Sequence, residues 1–363
     1  MTVDLDAVAE NWRALARHAR GAVCAAVVKA DAYGLGASEV GPALSRAGCR
    51  VFFVACPGEG IALRQALAKA PAEIFVLDGH VESETERYDR HALTPVLGTL
   101  EGVSIWSRHA RDRGGRRAAL MLDTGMTRLG LGGSDARLLA AEPSRLEGLE
   151  LAFVMSHLAC ADTPDHPLNA RQRTAFDDMR AGLPDAPASL ANSAGIFLGP
   201  DFRYDLVRPG AAIYGLSVVS GRPNGMKRAV RLRARILQTR FVDSDTPVGY
   251  GADRLIAAGS TLATVAMGYA DGLPRALGDR GSGRIAGRPV PLVGRVSMDL
   301  ATLDVTEIAA DLVRPGRIVD LIDDVHDADA LAAEAGTIGY EILARVGARV
   351  RRNYRGGKNG SPE

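Results

Sequence analysis

A regular alternation of short apolar runs with helical stretches is the feature that most constrains how this chain can fold. Eight short runs rich in Val, Leu, Ile, Phe and Ala are typical of buried strands. They lie at residues 23–28, 51–55, 73–77, 94–98, 118–122, 151–155, 187–191 and 204–208. Between them, segments such as "GIALRQALAKA" place apolar residues three and four positions apart, as helices do. Eight strands that alternate with helices predict a closed parallel (β/α)8 barrel. An open doubly wound sheet is the alternative, although no GxGxxG follows the first strand.

The last third of the chain has a different texture. Segments such as "RLRARILQTRFV" and "GSTLATVAMGYA" are rich in strand-forming residues, and Gly and Pro separate them from one another. We therefore predict an α/β fold in which a (β/α)8 TIM barrel over residues 1–225 is followed by a mainly β, largely antiparallel domain over residues 226–363. The last residues, from about 356, are expected to form a loose tail.

The composition excludes several classes of partner. With 44 basic and 43 acidic residues among 363, the net charge is +1, which gives no electrostatic case for binding nucleic acid or a membrane surface. The apolar runs are too short to span a bilayer, and "MTVDLDAVAENW" lacks the pattern of a signal peptide. The cysteines show no CxxC spacing, so we expect reduced thiols, no metal site and a cytoplasmic location.

Polar side chains follow the ends of several predicted strands. Lys29 follows the first, His157 the sixth and Arg208 ends the eighth, while Asn192 and Ser193 follow the seventh. Each residue by itself has a structural explanation, such as a salt bridge or a turn. The carboxyl ends of the strands of a parallel barrel meet at one rim, where the active sites of this fold lie. Together, these residues therefore favour a site at that rim.

The type of these residues indicates a chemistry. A lysine in apolar surroundings has a pKa below its usual ~10.4, and its neutral amine can form a Schiff base with an aldehyde. The segments "ANSAG" (191–195) and "RPGAAIYG" (208–215) consist of small residues that expose backbone N–H groups, at the corner where barrels often bind phosphate. Both features fit pyridoxal phosphate (PLP). A phosphorylated sugar would suit the same corner, and a Schiff-base aldolase also uses a lysine.

Long sequence blocks occur in a characteristic order along the chain. They are "AVVKADAYGLG" (26–36), "LDTGMTRLG" (122–130), "SHLACAD" (156–162), "NSAG" (192–195), "RPGAAIYG" (208–215), "GYGA" (249–252), "MGYADG" (267–272), "GRVSMD" (294–299) and "TIGYE" (337–341). In these blocks, which span almost the whole sequence, the chain resembles the alanine racemases, PLP enzymes of fold type III.

The resemblance implies a role for each matching residue. Lys29 matches the lysine that binds PLP as a Schiff base and acts as the base on one face of the substrate carbon. Tyr250 matches the tyrosine that handles the proton on the opposite face. His157 matches a histidine that is hydrogen-bonded to the network of that tyrosine, and Arg208 matches the arginine that faces the pyridine nitrogen.

Further residues match positions that bind cofactor or substrate. Those expected to contact the cofactor, mainly its phosphate, are Tyr33, Asn192, Ser193, Gly210, Ala211 and Tyr340. Arg128 and Met298 match positions near the substrate carboxylate and the catalytic tyrosine, and Tyr269 and Asp299 match the substrate entrance. The resemblance also implies an obligate head-to-tail homodimer, in which the tyrosine, Met298 and Asp299 come from the second subunit.

The expected activity is the two-base interconversion of L-alanine and D-alanine, which supplies D-alanine for peptidoglycan. A broad-specificity or serine racemase of the same fold is the alternative. A fold-type III amino-acid decarboxylase is disfavoured by Tyr250, and a non-catalytic PLP-binding protein is disfavoured by the domain over residues 226–363.

One position departs from the pattern. Many alanine racemases carry a lysine two residues before the Asp of "DTGM", and its carbamylated side chain supports the arginine of that block. Here the position is Met121, which cannot be carbamylated. We therefore expect Arg128 to be held differently.

Overall fold

The computed structural model describes residues 1–79 and 82–357 of the chain. The described chain divides into two compact units. The β unit comprises residues 1–5, 33–35 and 228–356, and the barrel unit comprises residues 6–32 and 36–227. The predicted tail from about residue 356 lies mostly outside the described residues, and the predicted boundary between 225 and 226 stays a prediction. No helix in the described part of the chain is long and apolar enough to cross a membrane.

The chain starts with strand β1 (Thr2–Asp4) of the β unit and helix α1 (Leu5–His18). The strands that follow in the barrel unit are β2 (Val23–Cys24), β3 (Ala26–Val27), β4 (Val51–Val54), β5 (Glu73–Val76), β6 (Leu93–Leu97), β7 (Arg116–Met121), β8 (Leu149–Met155), β9 (Ala188–Ser189) and β10 (Leu206–Val207). Its other helices are α2 (Ala37–Ala47), α3 (Pro57–Leu67), α4 (Thr85–Arg90), α5 (Leu100–Asp112), α6 (Gly133–Ala141) and α7 (Pro167–Arg180).

Parallel pairing closes these strands into a ring. Strands β3 to β9 pair with one another in sequence order, and β10 pairs with β2. The Val27 amide donates a hydrogen bond to Pro209 O (2.9 Å), and the Arg208 amide donates one to Ala191 O (2.9 Å). Strand β10, the last of the barrel, is thus bonded both to the first barrel strand (β2 and β3) and to the end of β9. The predicted (β/α)8 fold is confirmed.

The last two barrel strands are shorter than the sequence predicts. Strands β9 and β10 have two residues each, whereas the apolar runs at 187–191 and 204–208 predict about five. The chain leaves the sheet after β9 and passes through two 3-10 turns, Gly195–Leu198 and Pro200–Phe202, in place of a regular helix. Small residues that form turns here give the rim an irregular, N–H-rich corner.

An aromatic cluster fills part of the barrel interior. The rings of Phe53, Phe75 and Phe153 come from β4, β5 and β8, with centroids 4.6–5.7 Å apart. All three side chains are buried. Burial of each such side chain contributes roughly 1.5–3 kcal/mol to folding. The strands that carry the rim residues are therefore packed around a well-filled core.

The β unit is mainly antiparallel. Its other strands are β11 (Val230–Phe241), β12 (Thr246–Val248), β13 (Arg254–Ile256), β14 (Thr261–Val265), β15 (Ser282–Ile285), β16 (Arg288–Pro291), β17 (Ala301–Asp304), β18 (Ile318–Ile322) and β19 (Asn353–Arg355). The long strand β11 pairs antiparallel with β1, β14 and β18. Two helices, α8 (Ala328–Ala335) and α9 (Gly339–Ala344), precede β19. The predicted mainly β, largely antiparallel second domain is confirmed.

Candidate active site

Lys29 lies just beyond β3, at the carboxyl end of the barrel strands, and its side chain is largely withdrawn from solvent. Burial lowers the pKa of the Lys29 amine, and the positive charge of Arg128 lowers it further. The carboxylate of Glu59 partly opposes this change. The net effect favours the neutral amine, which is the nucleophilic and basic form.

The backbone after Lys29 forms a left-handed turn. Ala30, Asp31, Ala32 and Tyr33 have φ between 52° and 56°, although none is a glycine. This conformation costs an L-residue about 1–2 kcal/mol. Four consecutive strained residues next to a reactive lysine indicate that surrounding contacts determine the conformation.

Arg128 is carried by a loop that Asp123 organises. The Asp123 carboxylate accepts hydrogen bonds from the amides of Gly125, Met126 and Thr127 at 2.9–3.0 Å. Arg128 itself is exposed. Among residues 1–79 and 82–357, no carboxylate lies within ion-pair distance of its guanidinium. That Arg128 is held by a group other than a carbamate stays a prediction.

Arg208 is a buried cation with neutral partners. Its guanidinium donates hydrogen bonds to Ser189 Oγ and, at 2.5 Å, to Ser156 O. Burial lowers the pKa of Arg208 to about 9. The pKa is still above neutrality, so the side chain keeps its charge near pH 7. The two serine contacts fix the direction in which that charge points.

His157 is held in the neutral form. Burial lowers the pKa of His157 to about 3, and the positive charges of Arg208, Arg128 and Lys29 contribute to the shift. The charges of Arg208, Arg128 and Lys29 thus all reach His157, and Arg208 lies beside it, because its guanidinium is bonded to the carbonyl oxygen of the preceding residue, Ser156. A neutral imidazole has one nitrogen that donates a hydrogen bond and one that accepts.

A buried glutamine that sequence reasoning missed connects these groups. Gln172, on α7, is fully buried. Its amide nitrogen donates to His157 O (2.8 Å) and to Thr124 Oγ1 (3.3 Å), and its oxygen accepts from the Ala159 amide (2.8 Å). The available signal is its position four residues before buried Phe176, on the apolar face of the helix. Gln172 thus links the His157 strand end to the loop of Arg128.

The corner after β9 and β10 concentrates backbone N–H groups. Ser193 Oγ accepts hydrogen bonds from the amides of Gly210 (2.8 Å) and Ala212 (3.3 Å). The N–H of Ala211, a buried residue, has no acceptor among the described residues. Asn192 instead uses its side-chain oxygen to accept from the Gly195 amide, which shapes the loop. Convergent donors with one buried N–H unused fit an anionic group such as phosphate.

Tyr250 lies at the tip of a hairpin in the β unit. Strands β12 and β13 pair antiparallel, and the loop between them has positive φ at Gly249, Gly251 and Ala252. The loop is braced by Arg295, which pairs with Asp253 beneath Gly251. The Tyr250 side chain is 72% exposed. This hairpin displays an aromatic hydroxyl at the surface of its unit.

The predicted substrate-entrance residues, Tyr269 and Asp299, lie in two segments of the β unit whose backbones are hydrogen-bonded to each other. The amide of Tyr269 donates to Ser297 O (3.0 Å), and that of Ala270 donates to Met298 O (2.9 Å). Met298 is 54% exposed. Asp299 accepts a hydrogen bond from Arg349 (2.8 Å).

Tyr33 and Tyr340, the two tyrosines predicted to contact phosphate, form a pair in the β unit. Their ring centroids are 6.2 Å apart. Burial raises the pKa of Tyr33 above its usual range, so its hydroxyl keeps its proton near pH 7. A protonated hydroxyl can donate a hydrogen bond to an anion.

Comparison with known proteins gives consistent results. The family model for the alanine racemase N-terminal domain matches residues 3–218, and that for the C-terminal domain matches residues 229–354. An alanine racemase of Rhodospirillum rubrum is 50% identical over 99% of this chain and 97% of its own length. A catabolic alanine racemase of Agrobacterium fabrum is 46% identical over 98% and 91%.

Solved structures agree. The alanine racemase of Bartonella henselae, described with covalently bound pyridoxal phosphate, has a TM-score of 0.93 and 38% identity over 98% of both chains. The biosynthetic enzyme of Pseudomonas aeruginosa has a TM-score of 0.89 and 34% identity over 98% of both chains. With both family models matched and half of the residues shared with a full-length relative, the chain belongs to the alanine racemase family.

Proposed function

We propose that this protein is a PLP-dependent alanine racemase in which Lys29 and Tyr250 are the two bases. The observation that carries the proposal is the set of side chains and backbone N–H groups at the barrel rim. There, an amine with a lowered pKa belongs to the same electrostatic cluster as a neutral histidine and a buried arginine. At the adjacent strand ends, the Ala211 N–H has no acceptor among the described residues, and it lies between two amides that donate to Ser193 Oγ.

The residues present fit three polar groups of PLP: its aldehyde, its phosphate and its ring nitrogen. Lys29 provides the amine for the aldehyde, to which it would bind as a Schiff base. The Ser193 hydroxyl and the Ala211 N–H would donate to the phosphate next to Gly210, with Asn192 shaping the loop and with Tyr33 and Tyr340 as additional donors. Arg208 would face the pyridine nitrogen. When bound, PLP supplies an electron sink for the negative charge that develops at the substrate α-carbon.

The side chains then divide the proton chemistry between two faces. Lys29 would remove the α-proton on one face as a neutral amine, or return it once the amine is protonated, and the Tyr250 side chain would serve the other face. Inversion needs one proton-transferring group on each face of the α-carbon, because the proton that leaves on one face is replaced from the opposite face. Neutral His157 can accept a hydrogen bond from the tyrosine network. The permanent charge of Arg208 opposes protonation of the ring nitrogen, which restrains side reactions.

Arg128 and Met298 would border the substrate carboxylate, and Tyr269 and Asp299 would line the entrance. We propose that Tyr250, Met298 and Asp299 serve the site of a second copy of the chain in a head-to-tail homodimer. The exposed side chains of Tyr250, Leu255 and Met298 support this, since large apolar side chains at such exposure favour a covering partner. We further propose a cytoplasmic enzyme that supplies D-alanine for peptidoglycan.

The direct test is incubation of the purified protein and PLP with L-alanine in D2O. We expect deuterium at the α-carbon together with inversion to D-alanine and no release of CO2. Release of CO2 would indicate a decarboxylase, and an inert protein that retains PLP would indicate a binding protein. Either outcome overturns the proposal.

A broader substrate range is a second candidate. Its support is the geometry of Arg128, which has no carboxylate partner in the described part of the chain, together with Met121 at the position where the family resemblance implies a lysine. An extra substrate group changes the free energy of the transition state by only about 1–3 kcal/mol. The ratio of kcat/KM for L-alanine to that for L-serine measures how strongly the protein prefers alanine. A ratio near one identifies a broad-specificity racemase.

A further inference from the structure

The Glu59 side chain connects the turn after Lys29 to the end of strand β4, two segments outside its own helix. It lies in the first turn of α3, where a glutamate commonly caps its own helix. Here Oε1 accepts a hydrogen bond from the Ala30 amide (2.7 Å), and Oε2 accepts one from the Ala55 amide (2.8 Å). Both carboxylate oxygens are therefore used on backbone outside the helix.

The two amides lie at informative positions. Ala30 directly follows Lys29 and is the first residue of the left-handed turn. Ala55 directly follows β4, which pairs in parallel with β3, the strand that leads to Lys29. Glu59 thus ties the start of the strained turn to the neighbouring strand. Further along, Asp31 accepts from the Ala37 amide (2.7 Å), which holds the other part of the turn.

The charge of Glu59 also acts on Lys29. The charged groups that influence Lys29 come from different strand ends of the barrel. Arg128, after β7, lowers the pKa of the amine, whereas Glu59 raises it. The positive charge of Lys29 in turn lowers the pKa of His157, which follows β8. In this cluster, Glu59 carries the negative charge.

We propose that Glu59 is a positioning residue for Lys29: by fixing the Ala30 amide against the end of β4, its carboxylate sets the direction in which the lysine side chain leaves the strand. The proposal deepens the proposed function, because it rests on Lys29 being the residue that binds PLP. Charge-assisted hydrogen bonds to two amides are stronger than neutral ones, and they oppose the strain of the turn.

Two substitutions separate the geometry from the charge. Glu59→Gln keeps the length but leaves one oxygen to serve two amides, and it removes the charge. Glu59→Asp keeps the charge but is one methylene shorter, so it cannot span both amides. Glu101→Gln, an exposed acid in the first turn of α5, is the matched control.

The test uses the PLP-loaded protein and two measurements besides activity. Hydrogen exchange of the peptide that contains Ala30–Tyr33 should be about tenfold faster in both Glu59 variants, since an amide loses its acceptor. The pH midpoint of the visible absorbance of bound PLP should fall in Glu59→Gln and stay near the wild-type value in Glu59→Asp. Racemisation should fall mainly through kcat.

Exchange and pH midpoint equal to those of Glu101→Gln would overturn the proposal. If Glu59→Gln does not fold, unchanged exchange in Glu59→Asp overturns it equally. Failure of the proposed function has a different signature: Lys29→Ala would then retain the visible absorbance of covalently bound PLP.

Discussion

Replacing Gln172 by leucine tests whether the buried network on α7 organises the site. Leucine has nearly the same size, but it cannot replace the hydrogen bonds to Ala159 N and His157 O. A fully buried backbone group left without a partner costs about 1–3 kcal/mol, and these two groups are partly buried. Gln172→Leu should therefore lower the free energy of unfolding by about 1–3 kcal/mol in total, a sizeable part of the stability of a typical domain.

The kinetic effect should exceed the effect on binding. Without Gln172, the backbone of His157 and the side chain of Thr124 lose a common partner, so the link between His157 and the loop of Arg128 is weakened to the Thr124–Ser156 hydroxyl contact (2.7 Å). We expect kcat to fall about tenfold or more with little change in PLP affinity, because Gln172 contacts neither Lys29 nor the phosphate corner.

Urea unfolding and steady-state racemisation measure the two effects. Thr174→Leu, at an exposed position of the same helix, is the control for adding an apolar side chain. If Gln172→Leu matches this control in stability and kcat, the network has no organising role and the reasoning is refuted.

Two further predictions concern the loop and the histidine. Gly130→Ala places a Cβ 2.6 Å from Asp123 N at a φ of 127°, so we expect a loss of about 1–3 kcal/mol in unfolding free energy and a lower kcat, as Arg128 moves. Gly114→Ala, with positive φ but open space, should cost less in urea unfolding; equal costs would contradict the close approach. The pKa of His157 falls from 6.5 to about 3 on folding, so its contribution to stability is present above pH 6.5 and is lost as the pH falls towards 3. The slope of unfolding free energy against pH in this window, at most about 1.4 kcal/mol per pH unit for one group, should decrease in His157→Gln; an unchanged slope would refute a histidine that folding holds in the neutral form.

Much of the fold follows from the sequence, because the eight apolar runs have strand length and the intervening segments have helical periodicity. The parallel ring depends on burial on both faces, which such runs encode directly. The short β9 and β10 could not be predicted, since apolar composition does not show where Asn192 and the following residues leave the sheet for 3-10 turns.

The site was predictable only in part. Lys29, His157 and Arg208 stand at strand ends, so topology alone assigns them to one rim. The left-handed turn at Ala30–Tyr33 was not predictable, because ordinary residues adopt it only when tertiary contacts such as that of Glu59 require it. Glu59 and Gln172 were missed since each resembles an ordinary helix residue. The importance of Glu59 depends on Ala30, 29 positions away, and that of Gln172 on partners 13 to 48 positions away.

Subunit complementation tests the central claim most directly. Lys29→Ala and Tyr250→Phe proteins are each purified, mixed in equal amounts, dissociated and reassociated with PLP, and assayed for racemisation. If the two bases come from different chains, each mixed dimer contains one intact site, and random pairing restores about a quarter of wild-type activity. If the mixture is as inactive as its components, although mixed dimers form, Tyr250 does not serve the Lys29 of a partner and the account is contradicted.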